Sequence, residues 1–460
     1  MKTLIRCGVL GLSCVVAVST AVERIPRIPT MRGAPARLER WPTQPKLLPR
    51  DLHDDVAHEV ADTALVTALS ELERQTHDVQ SASLRALFVD RARALFTLAA
   101  DVQLMRGRHA AALWFSDRAR QVALRTFSSL PDDTHDDAER LGSELIKRVP
   151  PGIAVVHQEL RGEKLLSWIV RDGELHFMSK AFSEDVVAVS IERFRTNHAN
   201  LHDAQRLYEA LLRPIDQYTT GSKLVVYSPS PALYGVPFAA LHDGRAFVIE
   251  RHAIAVTPSI RTFVDAVLEP AAGGTGLALI ALPPVAPGAR SLPGARDEVR
   301  AIAEIYAERA TSLQGVGVSA KLFLEMLSRF DVIHVSSHGL TASTALENAV
   351  EFGPDRVCAK EIVQLRLARR PVVVLASCRT SEETGNATLG LSTSFVAAGA
   401  SAVIGSLWDI EDQTTTLVMK EFHRSLSRGV AAAEAMSLAQ RSAIARGERL
   451  GAWAAFQVQM

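Results

Sequence analysis

The sequence predicts an α/β fold in which helices enclose a mostly parallel sheet, preceded by an all-helical region. From Gly152 onward, short apolar runs alternate with segments whose apolar residues recur at helical spacing. That alternation is typical of a parallel sheet covered by helices. Residues 51–149 instead show helical spacing and contain a single proline, Pro131. The chain of 460 residues is long enough for two or three domains.

The composition is that of an ordinary folded chain and argues against several function classes. Hydrophobic residues make up 47% and charged residues 22%, and Lys plus Arg equals Asp plus Glu at 51 each. A balanced charge gives no reason to expect a nucleic acid partner. The Gly-rich stretch 271–276 precedes a strand and lacks the Gly-Lys-Ser/Thr of a phosphate loop. No C-x-x-C or H-E-x-x-H spacing indicates a metal, so we expect neither metal nor cofactor.

The first 21 residues have the pattern of a secretory signal peptide. Lys2 and Arg6 precede a short apolar run that ends in small residues at Ala21. We expect cleavage there and export to the periplasm or medium; without cleavage the protein would be cytoplasmic. The alternatives are a lipoprotein leader that uses Cys14 as the lipidated cysteine and an ordinary apolar helix. Residues 22–50 are rich in proline and arginine and predict an extended linker.

The region 51–149 predicts paired helices. The segment Ala94–Ala123 forms two helical stretches on either side of Arg106-Gly107-Arg108. Small residues in this segment match small positions of a tetratricopeptide repeat, which is a helix-turn-helix unit. A generic helical hairpin fits the same pattern, so both alternatives remain open.

The region from Gly152 predicts strands and helices in alternation. A hairpin signal at Arg171-Asp172-Gly173-Glu174 joins two of the strands. The predicted strands outside the site are Ile153–His157, Lys164–Val170, Leu175–Ser179, Leu224–Tyr227, Ala253–Val256, Leu277–Leu282, Ser401–Leu407 and Trp453–Val458. The predicted helices are Ser183–Tyr218, Ala295–Ala310, Ser319–Arg329, Leu389–Ala400, Asp412–Arg428 and Val430–Arg446.

Two further strands end in chemically reactive residues. The apolar run that starts at Asp331 ends in His338-Gly339, and the run Val372–Leu375 leads into Cys378. A crossover helix at Ala359–Ala368 would make these strands parallel, with both carboxyl ends on one edge. The imidazole could then activate the thiol as a nucleophile. The alternative is a buried structural cysteine and an unrelated histidine.

The cysteines do not form a disulfide framework. Outside the predicted leader only Cys358 and Cys378 remain. In an exported protein these two could pair and silence the thiol. Otherwise Cys358 is a lone thiol near a helix start.

Several characteristic segments follow one another in the second half of the chain. They are LVVYSPSPALYGVPFAAL, FVIERHAIAVTPS, SLPGARDEVRAI, VIHVSSHG, VVVLASCRT, LSTSFVAAGASAVIGSLWDIEDQTT and WAAFQV. In this order they resemble the CHAT domain, a bacterial branch of the caspase-like cysteine peptidase clan near separase. The resemblance covers roughly Gly152–Met460, which we therefore delimit as a CHAT domain at 152–460.

The resemblance implies a caspase-like fold and a set of site residues. It makes Cys378 the nucleophile and His338 the proton carrier, and it places the oxyanion between the backbone N–H groups of Gly339 and Cys378. No third carboxylate stands out, which gives a dyad. The segment WDIED resembles a separase element in which acidic residues suit a basic residue before the scissile bond, and this suggests Asp409 and Asp412. Asp412 could instead cap the helix that begins there.

The predicted function is therefore a cysteine endopeptidase that cleaves protein substrates through a His-Cys dyad. We expect it to be gated by the helical region or by a protein activator or inhibitor bound there, with the loop Arg379–Thr388 moving. The alternatives are a catalytically silent scaffold that binds partners and another thiol acyl-transfer enzyme.

Overall fold

The computed structural model describes residues 69, 82–125, 137–196, 200–268, 276–283, 293–342, 344–376, 390–408 and 412–460. The predicted signal peptide and the Pro-rich linker lie outside these residues. The chain divides into two compact units, Met1–Leu145 and Ile146–Met460. None of the helices among the described residues is long and apolar enough to span a bilayer.

The described part of the first unit is a helical hairpin followed by a third helix. The helices are α1 (Ala82–Met105), α2 (His109–Arg125) and α3 (Ala138–Arg148), the last of which continues into the second unit. Gly107 joins α1 to α2 with a φ of +70°, a backbone conformation that glycine adopts without strain. The predicted hairpin is confirmed, and a tetratricopeptide repeat stays a prediction.

The second unit is built on a large sheet with helices around it. Its strands are β1 (Ile153–Arg161), β2 (Lys164–Arg171), β3 (Glu174–Ala181), β4 (Leu224–Ser228), β5 (Ala253–Val256), β6 (Ala278–Leu282), β7 (Ala310–Gln314), β8 (Val332–Ser336), β9 (Gly339–Leu340), β10 (Ala349–Phe352), β11 (Asp355–Cys358), β12 (Val372–Ala376), β13 (Ala402–Ser406) and β14 (Phe456–Gln459). Its helices are α4 (Glu184–Arg195), α5 (Leu201–Leu211), α6 (Asp216–Thr219), α7 (Val248–Arg251), α8 (Ile260–Leu268), α9 (Pro293–Tyr306), α10 (Ala320–Met326), α11 (Ala359–Ile362), α12 (Leu391–Ala397), α13 (Asp412–Leu426), α14 (Ala432–Ala445) and α15 (Leu450–Trp453).

The sheet contains two parallel blocks that run in opposite directions, and the antiparallel strands β2 and β3 extend one edge. Among the described strands its order is β3-β2-β1-β4-β5-β14-β13-β12-β8-β6-β7. The strands β1, β4, β5 and β14 are mutually parallel, and so are β13, β12, β8, β6 and β7. The blocks meet at the antiparallel pair β13–β14. The predicted mostly parallel sheet is confirmed.

The predicted crossover between β8 and β12 is partly wrong. A helix was predicted at Ala359–Ala368, whereas α11 ends at Ile362. The N–H of Leu367 instead donates to the carbonyl of Ala398 over 2.7 Å, a bond that a continuing helix would not allow. The crossover also contains a small antiparallel sheet, β11-β10-β9, that was not predicted.

The structure differs from the sequence prediction at three other places. The stretch Ser183–Tyr218 contains three helices, because a capping box at Asn200 starts α5 and Pro214 follows its end. The edge strand β7 was missed, since it is short and half-exposed and lacks an apolar run. The last strand begins at Phe456 rather than Trp453, which belongs to α15.

Candidate functional site

The two strands that carry the predicted dyad are neighbours in the sheet. β8 and β12 are parallel, and their last paired residues are Ser336 and Ala376. Both carboxyl ends therefore lie on one edge, as predicted. His338 is the second residue after Ser336, and Cys378 is the second residue after Ala376. Cys378 lies outside the described residues, so its pairing with His338 stays a prediction.

The backbone around His338 is fixed by hydrogen bonds to β10. The Ser337 hydroxyl donates to the carbonyl of Glu351 over 2.5 Å, and the Glu351 N–H donates to the carbonyl of His338 over 2.9 Å. Gly339 begins β9 directly afterwards and faces Val350. The side chain of His338 is half-buried. The small sheet that the sequence did not predict thus holds the predicted base and the predicted oxyanion donor Gly339.

The two faces of β8 have opposite character. Ile333 and Val335 point into an apolar core together with Val373, Leu375 and Phe395. Each buried apolar side chain of this size stabilises the fold by about 2 kcal/mol. The alternate residues of a strand lie on its other face, where polar side chains interrupt the apolar run.

Five buried polar side chains form a continuous contact series on that other face, here called the Glu298 network. Glu298 Oε1 lies 2.8 Å from Ser336 Oγ and 3.1 Å from His334 Nε2. His334 Nε2 is also 3.0 Å from Ser336 Oγ. His334 Nδ1 lies 3.1 Å from His423 Nε2, and His423 Nδ1 lies 3.0 Å from the Tyr306 hydroxyl. None of the five was predicted as a site residue.

Burial determines the ionisation of two members of this network. Burial and the neighbouring His334 hold the pKa of His423 well below its usual range. Burial likewise raises the pKa of Tyr306. His423 is therefore neutral and Tyr306 keeps its hydrogen near neutral pH.

The chain beyond the predicted nucleophile is anchored at the start of α12. The N–H of Gly390 donates to Thr393 Oγ1 over 2.6 Å, and the Ser394 hydroxyl donates to the carbonyl of Gly390 over 2.8 Å. The intervening loop Arg379–Thr388 lies outside the described residues.

The predicted substrate-binding residues follow the next strand of the sheet. β13 lies beside β12 and is followed by Trp408, which is buried and whose Nε1–H donates to the carbonyl of Gly451 over 2.8 Å. Asp409 lies outside the described residues. α13 begins at Asp412 as predicted, but its side chain is not described. Both assignments stay predictions.

The second cysteine has the character of a structural residue. Cys358 ends β11, is 5% exposed and is a free thiol among the described residues. Burial and the nearby Glu361 raise the pKa of this thiol. A protonated thiol is a poor nucleophile.

The described residues contain no cluster of three or more His, Cys, Asp or Glu side chains arranged to bind a metal ion.

Two proteins of known structure are similar to this chain, separase and gingipain. The chain is similar to separase in the Saccharomyces cerevisiae separase-securin complex, with a TM-score of 0.56 and 10% identity over 88% of this chain. A second structure of that complex gives a TM-score of 0.53 and 11% identity over 87% of the chain. In both, the match spans 37% of the separase chain, so this chain corresponds to well under half of it.

A third similar structure is the Arg-specific proteinase gingipain R (RgpB) of Porphyromonas gingivalis. Its TM-score is 0.40 and its identity 12%, over 60% of this chain and 73% of the gingipain chain. No curated protein sequence matches the chain. The CHAT domain profile matches residues 201–460. This match covers more than half of the sequence, and the chain therefore belongs to the CHAT domain family.

Proposed function

We propose that the protein is a cysteine endopeptidase whose dyad is Cys378 and His338. The observation that carries the proposal is the register of β8 and β12, in which Ser336 pairs with Ala376. Adjacent strands lie about 4.8 Å apart. Two residues of chain span at most about 7 Å, which keeps Cys378 near the end of β12. His338 and Cys378 each lie two residues beyond the Ser336–Ala376 pair. This equal spacing favours contact between their side chains.

The chemistry needs only the two side chains and backbone donors. The Cys378 thiolate attacks the peptide carbonyl carbon and forms a C–S bond, and the imidazolium of His338 protonates the leaving amine as the C–N bond breaks. His338 then takes a proton from water, which attacks the thioester and releases the acid and the thiolate. The N–H groups of Gly339 and Cys378 would stabilise the oxyanion.

The residues that select the substrate are proposed to follow the end of β13. Trp408 is fixed by its bond to Gly451, so the residues that follow start from a defined point on the same sheet edge as the dyad. A carboxylate at Asp409 would favour a basic residue before the scissile bond. Asp412 would serve either the same pocket or the first turn of α13, where acidic residues are favourable.

A protein partner is part of the proposal. The matched separase structure is a complex of separase with securin. In this chain the helical unit is the candidate for binding a substrate, an activator or an inhibitor, since paired helices bury one face and present another.

The proposed function is tested with the purified chain and a library of short peptides containing Arg or Lys. We expect Cys378→Ala and His338→Ala each to lower kcat by at least about a thousandfold. The matched control is Cys358→Ala, which removes the other thiol outside the predicted leader and should leave kcat unchanged. Near-normal cleavage by either dyad variant would refute the assignment.

A further inference from the structure

The Glu298 network joins three elements behind the end of β8. Glu298 and Tyr306 come from α9, His334 and Ser336 from β8, and His423 from α13. Each of the five residues is at most 3% exposed. The network therefore connects the strand that leads to His338 with two helices, and all five of its side chains are buried.

The hydrogens of this network can be placed in one direction. A carboxylate oxygen accepts, so the Glu298 contact assigns the hydrogen of His334 to Nε2 and leaves Nδ1 as an acceptor. His334 Nδ1 then accepts from His423 Nε2–H, and Nδ1 of the neutral His423 accepts from the Tyr306 hydroxyl. His334 Nε2–H and the Ser336 hydroxyl both donate to the Glu298 carboxylate. Every donor in the series is satisfied, and the series ends on an acceptor that takes two bonds.

A buried network of this kind fixes position more than it adds stability. Apolar side chains of similar size would pack at least as well, as Ile333 and Val335 do on the opposite face of β8. Hydrogen bonds are directional, so they resist sliding of the strand along its own axis as well as its separation from the helices. Ser336 is bonded to this network and is also the residue that pairs with Ala376.

We propose that Glu298, His334 and Ser336 are positioning residues that hold the end of β8 so that His338, two residues further on, meets Cys378. The inference rests on the proposed cysteine peptidase function. The network fixes Ser336, which pairs with Ala376, and each member of the predicted dyad lies two residues beyond this pair.

The test measures alkylation of Cys378 by iodoacetamide against pH, in the full chain and by mass spectrometry. Only the thiolate reacts, and a nearby imidazolium lowers the pH at which it forms from about 8.5 in a free thiol. We expect His338→Ala to return the midpoint to about 8.5. Ser336→Ala and Glu298→Gln should each raise it by at least about half a pH unit. Ser336→Thr, which keeps the hydroxyl, should restore most of the wild-type profile.

The matched control is Ser228→Ala at the end of β4. Ser228 is also fully buried, and its Oγ lies 3.2 Å from Nδ1 of the buried His157. The same substitution thus removes the same kind of bond at another strand end. We expect the two alanine variants to lose similar thermal stability, and only Ser336→Ala to shift the alkylation midpoint.

The outcomes separate the inference from the proposed function. An unchanged midpoint in His338→Ala would contradict the dyad itself. A shifted midpoint in His338→Ala, with wild-type midpoints in Ser336→Ala and Glu298→Gln, would overturn the positioning role alone. Equal shifts in Ser336→Ala and Ser228→Ala would also overturn it, because general loss of stability would then explain both.

Discussion

At the scale of single residues, burial decides how the side chains behind β8 are protonated. His423 is fully enclosed and contacts two polar groups, Tyr306 and His334. A charged imidazole there would lose its hydration without gaining a carboxylate of its own, which is why its pKa lies well below the usual range. Its neutral form is therefore part of the folded state.

The first expectation concerns acid stability. Unfolded histidine binds a proton near pH 6.5, whereas folded His423 does so only at much lower pH. Unfolding thus takes up a proton below about pH 6.5, and the free energy of unfolding falls there by about 1.4 kcal/mol per pH unit. His423→Gln should remove that contribution in urea denaturation between about pH 5 and 6.5. An identical slope in both proteins would contradict it.

At the scale of elements, a close contact joins α2 and α3 in the helical unit. The Glu139 carboxylate accepts from the N–H of Ala111 over 3.1 Å at the start of α2, which has no acidic residue in its own first turn. Three residues further along α3, Gly142 lies against Ala110. A Cβ at position 142 would lie 2.2 Å from the Ala110 carbonyl oxygen.

The second expectation is that Gly142→Ala disrupts this contact. The clash is with backbone, so a helix must move, and overpacking of this kind costs about 3 kcal/mol. Hydrogen-exchange protection of α2 amides should fall by about a hundredfold. The control is Gly317→Ala, where nothing lies within 4 Å of the new Cβ. Wild-type protection in Gly142→Ala would show that the helices do not approach this closely.

The central strands of the sheet are the elements that the sequence predicts most directly. β12 is an uninterrupted apolar run, and β8 and β13 are mainly apolar, a pattern that indicates central parallel strands. β9, β10 and β11 are only two to four residues long and carry the buried polar residues Asn348 and Glu351 between and within them. So short a pattern gives no usable period, and the pairing of these strands arises from tertiary contacts.

The candidate site, like the fold, could be predicted from the sequence only in part. His338 and its strand end follow from the apolar run before them. Glu298 and His423 do not, because they reach His334 from helices distant in sequence. The available signal was His334 and Ser336 themselves, two polar residues at alternate positions of an apolar strand.

At the scale of the whole second unit, its two parallel blocks depend on the last strand. β14 lies between β5 and β13 and forms the seam where the sheet reverses direction. Gln440 secures the start of this strand, since its Nε2 donates to the carbonyl of Trp453 just before β14 and to that of Phe456, its first residue, over 3.1 Å each. The C-terminal residues are therefore central to the sheet.

The third expectation is that deleting Phe456–Met460 prevents folding of the second unit. The deletion would leave two interior strands with unpaired backbone groups, each costly when buried. Expression should give insoluble protein, and refolded material should lack a cooperative thermal transition. A soluble variant with wild-type circular dichroism would contradict the central place of β14.

The fourth expectation concerns the helical unit, proposed to bind a partner or substrate. A chain shortened to Gly152–Met460 should cleave a short peptide and a protein substrate with a changed ratio of rates if the helices recruit substrate. It should cleave both at a changed rate if they regulate the dyad. Wild-type rates on both substrates, in a shortened chain that unfolds in a cooperative thermal transition, would exclude either role.

The central claim is that Cys378 is a nucleophile activated by His338. It is tested most directly by incubating the full chain near pH 7 with a peptidyl chloromethyl ketone that ends in arginine and mapping the adduct by mass spectrometry. We expect one adduct on Cys378 and none on the buried Cys358, and a rate at least about tenfold lower in His338→Ala. Labelling of Cys358 instead, or equal labelling of Cys378 without His338, would contradict the dyad.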